Sequence, residues 1–101
     1  MIDYVLAKDT PTSDPIYQYS NPQKVYELGQ EDDIPIYRSF KENKKYMVNT
    51  GKKWLHFGQM GYEDYTKHKD EQRRKAFLKR NHKWAKMDAD TPAWLSYHYL
   101  W

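Results

Sequence analysis

The chain has 101 residues, with 17 Lys and Arg against 14 Asp and Glu, and a mean hydropathy of −1.15. This length predicts one domain with a modest core, and the absence of cysteine excludes disulfides and cysteine-based metal sites. No stretch approaches the roughly 18 apolar residues of a membrane-spanning helix, and the N-terminus lacks the pattern of a signal peptide. We therefore expect a soluble chain in a reducing compartment, with no membrane span and no classical export signal.

Aromatic residues are the predicted core formers. Ten Tyr, four Trp and three Phe make up 17% of the chain, and each buried ring removes about 150–250 Å² of surface from water. The charged fraction of 31% leans toward disorder, but these rings predict a small folded core. The alternative is that some rings stack on nucleic-acid bases, namely Tyr62, Tyr65, Trp54, Trp84, Trp94 and Trp101. We prefer the core interpretation because the chain is short of aliphatic residues.

The N-terminal part is acidic and rich in proline. Residues 1–40 carry seven acids and three bases, a net charge of −4, whereas the rest carries fourteen bases and seven acids, a net charge of +7. The two parts attract each other, or the basic part faces an anionic partner. Pro11, Pro15 and Pro22 disfavour long regular elements, so residues 1–33 are predicted to be an extended acidic arm, with a disordered tail as the alternative. Its apolar anchors are predicted to contact other chains: Ile2, Val5, Leu6, Ile16, Tyr17, Val25, Tyr26 and Leu28.

Residues 34–101 are predicted to form a small, basic, aromatic-rich domain of the α+β class. Its antiparallel sheet of two or three strands is expected at residues 34–40, 44–49 and 52–57, packed on two helices. Pro35 restricts the first strand to an edge or to a strand start, because proline donates no ladder hydrogen bond.

The register of the hairpin follows from its short connection. A two-residue loop at Thr50-Gly51 predicts Tyr46 opposite Leu55 and Met47 opposite Trp54. Alternation then predicts one face with Tyr46, Val48, Leu55 and Phe57, and another with Met47, Trp54 and His56. Both faces are partly apolar, so we expect other parts of the protein to pack on each.

The first predicted helix follows a glycine-punctuated loop. Gly58 and Gly61 bracket a turn with positive φ, and residues 62–69 are predicted to be a polar loop. Asp70 is the predicted cap of a basic amphipathic helix over residues 71–86. On a helical wheel its apolar side carries Phe77, Leu78, Trp84 and Ala85, with lysines on the opposite side.

A second helix is predicted over residues 92–101. Thr91 is its N-cap and Pro92 occupies its first position, where the missing N–H has no helical partner to lose. The apolar side chains of this segment, Trp94, Leu95, Tyr97, Leu100 and Trp101, spread almost around the helix. We therefore expect the helix to be buried on more than one side.

The basic side of the helix over residues 71–86 is the main functional candidate. Lys75, Lys79 and Lys83 recur at i, i+4 spacing with no acidic partner on that face, and each such like-charge pair costs about 0.2–0.5 kcal/mol. The predicted partner or phosphate contacts are Lys75, Lys79, Lys83, Arg73, Arg74, Arg80, Lys52 and Lys53, and Lys44, Lys45, Lys67 and Lys69 extend this surface. Three interpretations are open: a solvated face partly neutralised by the acidic arm, contact with an acidic protein, and contact with nucleic acid.

No motif predicts an enzyme. The histidines at positions 56, 68, 82 and 98 lack the spacing of helical metal ligands, which leaves a zinc site as a minor alternative. Glu63 and Asp64 beside His68 are interpreted as turn caps or as ion-pair partners of Lys67 or Arg73. Because the sequence has neither a glycine-rich phosphate loop nor a nucleophile elbow, we expect no catalysis, no cofactor, no metal and no small-molecule substrate.

Four short motifs follow one another in a specific order between residues 56 and 101. They are His56-Phe57-Gly58, the run Gly-Tyr-Glu-Asp-Tyr-Thr-Lys-His-Lys-Asp from Gly61 to Asp70, Arg73-Arg74, and Leu100-Trp101. In this order, residues 36–101 resemble a family of small uncharacterised proteins of large nucleocytoplasmic DNA viruses. The resemblance does not extend to residues 1–33. It implies a viral gene product located in the virion, or in the cytoplasm or nucleus of the infected host cell.

The resemblance and the predicted arm together favour a structural role. We expect a minor capsid or capsid-associated protein of a large DNA virus particle, whose arm bridges neighbouring subunits and whose basic domain contacts acidic surface. Its partners are then other virion proteins, above all capsid proteins. The alternative is a nucleic-acid-binding protein that packages or regulates viral DNA through the helix over residues 71–86. A host-directed interaction module is the third interpretation.

Overall fold

The architecture is that of an α+β domain built on one small sheet. A computed structural model describes residues 4–101, in which a three-stranded antiparallel sheet combines with four α-helices. The strands, in sheet order, are β1 (Tyr37–Arg38), β2 (Lys44–Asn49) and β3 (Trp54–Gln59). The helices are α1 (Pro22–Glu31), α2 (Tyr65–His68), α3 (Glu71–Arg80) and α4 (Pro92–Tyr99), with 3-10 helices at Ala7–Asp9, Pro15–Gln18 and His82–Lys86. The predicted fold class and antiparallel sheet are confirmed.

Residues 4–33 are helical rather than extended, so the predicted arm is wrong for this part of the chain. Asp14 and Asn21 are N-caps whose side chains accept hydrogen bonds from the backbone N–H groups of Ile16 and Lys24. Each cap is followed directly by a proline, at the helix position where proline is tolerated best. Two of the prolines that were interpreted as breakers therefore start helical elements.

The predicted anchors of the arm pack on the domain itself. Ile16 and Val25 are fully buried in the same core cluster as Tyr46 and Phe57 of the sheet. Tyr17, Tyr26 and Leu28 pack around that core, Leu6 is partly buried, and Val5 is 38% exposed. Ile2 lies outside the described residues. The segment is therefore part of the domain, because the sheet and the helices supply the apolar surface that it lacks alone.

The first strand is shorter than predicted, and the N-terminal segment covers its outer edge. Ala7 N–H donates to Ile36 O at 2.9 Å, and Arg38 N–H donates to Val5 O at 2.8 Å. Leu6 forms an antiparallel bridge with Tyr37. Of residues 34–40, only Tyr37–Arg38 pairs with β2.

The hairpin register differs from the prediction by two residues. Tyr46 lies opposite Phe57, Val48 opposite Leu55, and Met47 opposite His56. The loop spans residues 50–53, and the Thr50 N–H closes it by donating to Lys53 O at 3.0 Å. Because side chains alternate with a period of two, this shift keeps every side chain on its predicted face. Tyr46, Val48, Leu55 and Phe57 are buried as predicted.

The basic helix is shorter than predicted. Asp70 caps it by accepting the N–H groups of Gln72 and Arg73, which confirms the start, but α3 ends at Arg80. The Asn81 side chain and backbone N–H both donate to Phe77 O, and a separate 3-10 helix follows. Part of the predicted loop over residues 62–69 forms α2.

The positions of α1 and α4 depend on close packing. A Cβ atom at Gly29 would lie 2.6 Å from both Ile34 O and Ile36 Cδ1, so α1 approaches the segment before β1 more closely than any larger residue allows. The predicted start of α4 is confirmed, with Thr91 Oγ1 accepting the Trp94 N–H and Pro92 in the first turn, and the helix ends at Tyr99. Within residues 4–101, no helix is long and apolar enough to cross a membrane.

The predicted positive φ angles are found at both glycines of the turn after the hairpin, 82° at Gly58 and 94° at Gly61. Gly58 belongs to β3, and a Cβ atom there would lie 2.9 Å from Leu100 Cδ1 and 3.0 Å from Lys45 Cβ. The residue after α4 therefore reaches the sheet at a point where only glycine leaves room.

Candidate nucleic-acid interface

The basic helix α3 is attached to the domain by a few side chains and contributes no buried residue. The Phe77 ring stacks on the Trp101 ring, with centroids 4.1 Å apart and planes 6° from parallel. Arg74 Nε donates to Trp101 O at 2.9 Å, and its guanidinium lies 4.7 Å from the Tyr65 ring centre. The Tyr65 hydroxyl also donates to Glu71, which raises the pKa of that hydroxyl. These contacts hold α3 on one side and leave its other side to solvent.

Two of the predicted contact residues are engaged within the domain. Arg73 Nη1 lies 3.6 Å from a Glu63 carboxylate oxygen, which is one of the ion pairs expected from the sequence. Arg74 Nη1 lies 3.9 Å from Glu71, one turn away on the same helix. Both arginine side chains are about half exposed, so these pairs add little stability but neutralise part of the charge.

The remaining cations of this region are exposed. Lys75, Lys79 and Arg80 of α3 lie in solvent, and within residues 4–101 none of them forms a salt bridge. We call these three residues the basic surface. Lys83 is also exposed and unpaired in the described chain, but it follows the break at Asn81, so its predicted i, i+4 spacing does not continue the face of α3.

Acidic residues of the N-terminal segment form ion pairs and hydrogen bonds with residues outside α3. Asp14 pairs with Arg38 at 3.1 Å, and the Tyr99 hydroxyl donates to Asp32 at 2.8 Å. Burial, with the help of this hydrogen bond, raises the pKa of Tyr99. In the part of the chain that the structure describes, no acid of residues 4–33 forms an ion pair with α3. The interpretation in which the acidic segment neutralises the basic helix is therefore not supported.

The predicted lysines outside α3 divide into exposed and buried ones. Lys52 and Lys53 are exposed on the loop over residues 50–53, a separate element from α3. Lys45, however, is buried, and its Nζ lies 3.1 Å from Asp64 Oδ2 and donates to Tyr62 O at 2.6 Å. Burial lowers the pKa of Lys45, and the attraction of Asp64 partly offsets this effect. Lys45 is therefore a structural residue and not part of a phosphate-binding surface.

The Lys45–Asp64 pair belongs to a buried polar network that sequence reasoning missed. Asp64 accepts from the Thr66 hydroxyl, and Ser20 Oγ lies within hydrogen-bond distance of Thr66 and, at 2.6 Å, of the Tyr46 hydroxyl. Burial raises the pKa of Tyr46 well above its usual value, so this hydroxyl stays protonated. The network joins the N-terminal segment, β2 and α2, and no local signal marks it because its members are far apart in sequence.

A groove of about 570 Å³ lies between α3 and the rest of the domain. Its apolar lining includes Phe77, Trp84, Leu100 and Trp101. Three of the rings considered as core or as stacking partners line the groove, namely Tyr62, Trp84 and Trp101. Arg73 and Arg80 also line it, together with the acids Glu63 and Asp64. Glu63 pairs with Arg73, and Asp64 pairs with Lys45, which also lines the groove, so Arg80 is the one cation of the groove without an ion pair in the described chain. Lys75 and Lys79 lie exposed outside the groove, so the groove is a weaker candidate for phosphate contact than the exposed side of α3.

These features define a small α+β domain that carries an exposed basic helix. Residues 34–87, about half of the chain, match the model of a family described as a family of unknown function (DUF5754), and the chain belongs to this family. The matched residues include the whole sheet, α2 and α3. No curated protein and no solved structure matches the chain.

Proposed function

We propose that this protein binds nucleic acid through the basic surface of α3. The observation that carries the proposal is that Lys75, Lys79 and Arg80 are exposed and form no ion pair in the described chain. Asp14 of the acidic N-terminal segment pairs with Arg38 and not with α3. Lys75 and Lys79 stand one helical turn apart, where like charges cost about 0.2–0.5 kcal/mol. A run of phosphates removes this cost and adds the free energy of counterion release.

Contact through phosphates implies binding that is independent of sequence and sensitive to salt. Affinity for duplex DNA should fall with salt with a log–log slope of about −0.9 for each neutralised phosphate. The double variant Lys75→Gln/Lys79→Gln should reduce the steepness of this slope by about 2 and weaken binding to unrelated duplexes alike. The variant should fold normally, because it removes a like-charge pair from an exposed helix face.

A matched control removes the same charge from another surface. Lys8 and Lys24 are exposed in the N-terminal segment, and Lys8→Gln/Lys24→Gln lowers the net charge by the same amount. Fluorescence anisotropy with a labelled duplex at several salt concentrations compares the two variants. Equal losses in both variants would show that only net charge matters, and absence of binding at low salt would reject the proposal.

A structural role in the particle of a large DNA virus is the second proposal, supported by the motif order from His56-Phe57-Gly58 to Leu100-Trp101. In this role the basic surface contacts an acidic capsid protein or another virion protein. Residues 4–33 do not support the bridging arm of this role, because they pack into the domain. Fractionation of purified virions into shell and genome-associated material separates the two proposals. The chain in the shell favours the structural role, and the chain with the genome favours nucleic-acid binding.

A further inference from the structure

The face of the sheet opposite the core carries a contiguous group of rings. We call Tyr4, Tyr37, Phe40, Trp54 and His56 the aromatic patch. The Tyr4 and Trp54 centroids lie 4.8 Å apart, Tyr37 meets Trp54 at 5.3 Å, and Phe40 meets His56 at 4.8 Å. Tyr4 also contacts both Tyr37 and Phe40 at 6.4 Å, so the rings form one continuous surface.

This patch is only partly covered by the domain. Phe40 is 54% exposed and Tyr4 is 46% exposed, and Tyr37, Trp54 and His56 are half-buried. Met47, which lies opposite Tyr37 and His56 in the sheet, is buried, whereas Phe40 and Tyr4 stay about half exposed. A contiguous exposed apolar surface of this kind is typical of a binding site.

Basic residues surround the patch. Between residues 37 and 56 the sequence has six bases and one acid, Glu42. Lys41 and Lys44 lie close enough to His56 to add to the effect of burial in lowering its pKa. Lys52 and Lys53 are exposed immediately before Trp54, and in the described chain none of these four lysines forms a salt bridge. The charge around the rings therefore complements an anionic partner.

We propose that the aromatic patch is a stacking surface for the unpaired bases of a single-stranded nucleic acid. Exposed rings on a sheet stack on bases of any sequence, and neighbouring lysines contact the phosphates. Lys41, Lys44, Lys52 and Lys53 take the second role. The proposal assigns Lys52 and Lys53, predicted as contact residues, to a surface other than α3. A duplex offers no free base faces along its length, so the patch distinguishes single strands from duplexes, which the basic surface of α3 does not.

This inference rests on the proposal that the protein binds nucleic acid, but it concerns a separate surface with a different ligand form. The test uses the double variant Tyr4→Leu/Phe40→Leu, which keeps apolar side chains and removes two ring faces. Both residues are about half exposed, so we expect the fold to persist. The control is Tyr62→Leu, which removes a ring that is 71% exposed and lies outside the patch.

Anisotropy is measured with an oligo-dT of about 12 nucleotides, with an abasic strand of the same length, and with a duplex. Loss of stacking should weaken oligo-dT binding about five- to hundredfold. Binding of the duplex and of the abasic strand should change less than about twofold, because both retain phosphates and lack free bases. Tyr62→Leu should leave all three affinities unchanged.

The outcomes separate this inference from the proposed function. Three results overturn the proposal for the aromatic patch alone. They are unchanged oligo-dT binding in Tyr4→Leu/Phe40→Leu, an equal loss of affinity for all three ligands, and a wild type that binds duplex but not oligo-dT. Oligo-dT binding that depends on the patch, with no duplex binding, overturns the α3 proposal alone. A wild type that binds neither ligand at low salt overturns both, and leaves an acidic or proline-rich protein segment as the occupant to test.

Discussion

Helices α1 and α3 have the same length and similar starts but different environments. Each has ten residues, and each begins at a side chain, Asn21 or Asp70, that accepts backbone N–H groups of the first turn. Yet α1 buries Pro22, Val25 and Gly29, whereas α3 buries no residue. The comparison shows that capping decides where these helices begin, whereas the distribution of apolar residues decides whether they join the core.

The difference has consequences for dynamics and for function. The N-terminal segment shares its core with the sheet, so it should unfold together with the sheet. Because α3 is held mainly by Phe77, Arg74 and their contacts with Trp101, it should open at a lower free energy than the core. A helix that packs weakly can present its cations to a partner with little loss to the fold.

The largest effect is expected from Ile16→Ala in the N-terminal segment. Ile16 is fully buried, and truncation of such a side chain costs about 2–5 kcal/mol from transfer and cavity formation. The matched control is Val5→Ala, since Val5 was predicted as an anchor in the same way but is 38% exposed. Its cost should stay within about 0.5 kcal/mol. Urea unfolding measures the free energy of unfolding of both variants. An unfolding midpoint of Ile16→Ala equal to that of the wild type would support the predicted extended arm instead.

A smaller and more local effect is expected from Phe77→Ala in α3. The change removes the stack on Trp101 and the edge contact with Trp84, and aromatic pairs contribute about 0.5–1.5 kcal/mol beyond area burial. Amide exchange should become fast over Glu71–Arg80 while β2 and β3 keep their protection. Phe77→Leu should restore part of this protection. A loss of protection in the sheet equal to that in α3 would show that α3 belongs to the core.

The smallest effect is expected from pH and concerns the start of α3. His68 Nδ1 accepts the Asp70 N–H at 2.9 Å, its ring packs 5.2 Å from Trp101, and its Nε2 is buried without a partner in the described structure. Burial, aided by the charge of Arg73, lowers the pKa of His68. The unfolded chain therefore takes up this proton at a higher pH than the folded chain does. Stability should fall as the pH falls through about 6.5.

Protonation also turns Nδ1 into a donor, which breaks the bond to the Asp70 N–H. Amide exchange at about pH 7.5 and pH 5.5 should show α3 loosening in acid before β2 and β3 do. His68→Gln should reduce this pH dependence, whereas His82→Gln, at an exposed histidine that bonds to Lys79 O in its own turn, should keep it. If the stability of His68→Gln depends on pH as that of the wild type does, other titratable groups cause the effect.

Local signals predicted those features whose causes lie within a few residues. Asp70 and Thr91-Pro92 start their helices as predicted, because a cap and its N–H partners are adjacent in sequence. The two faces of the hairpin were also predictable, since alternation survives a shift of two residues. In the candidate site, the cations of α3 were recognisable from composition and spacing alone.

Tertiary structure alone decided that Lys45 is buried and where the N-terminal segment lies. The Arg73–Glu63 pair was expected from the sequence, but nothing in the sequence distinguishes Lys45, which is buried beside Asp64, from the exposed Lys52 and Lys53. The packing of residues 4–33 depends on an apolar surface and a strand edge that distant residues provide. The aromatic patch also depends on residues that are distant in sequence, because Tyr4 completes it beside Trp54 of the sheet. Such contacts form only when long loops close, so sequence patterns confined to a few residues do not reveal them.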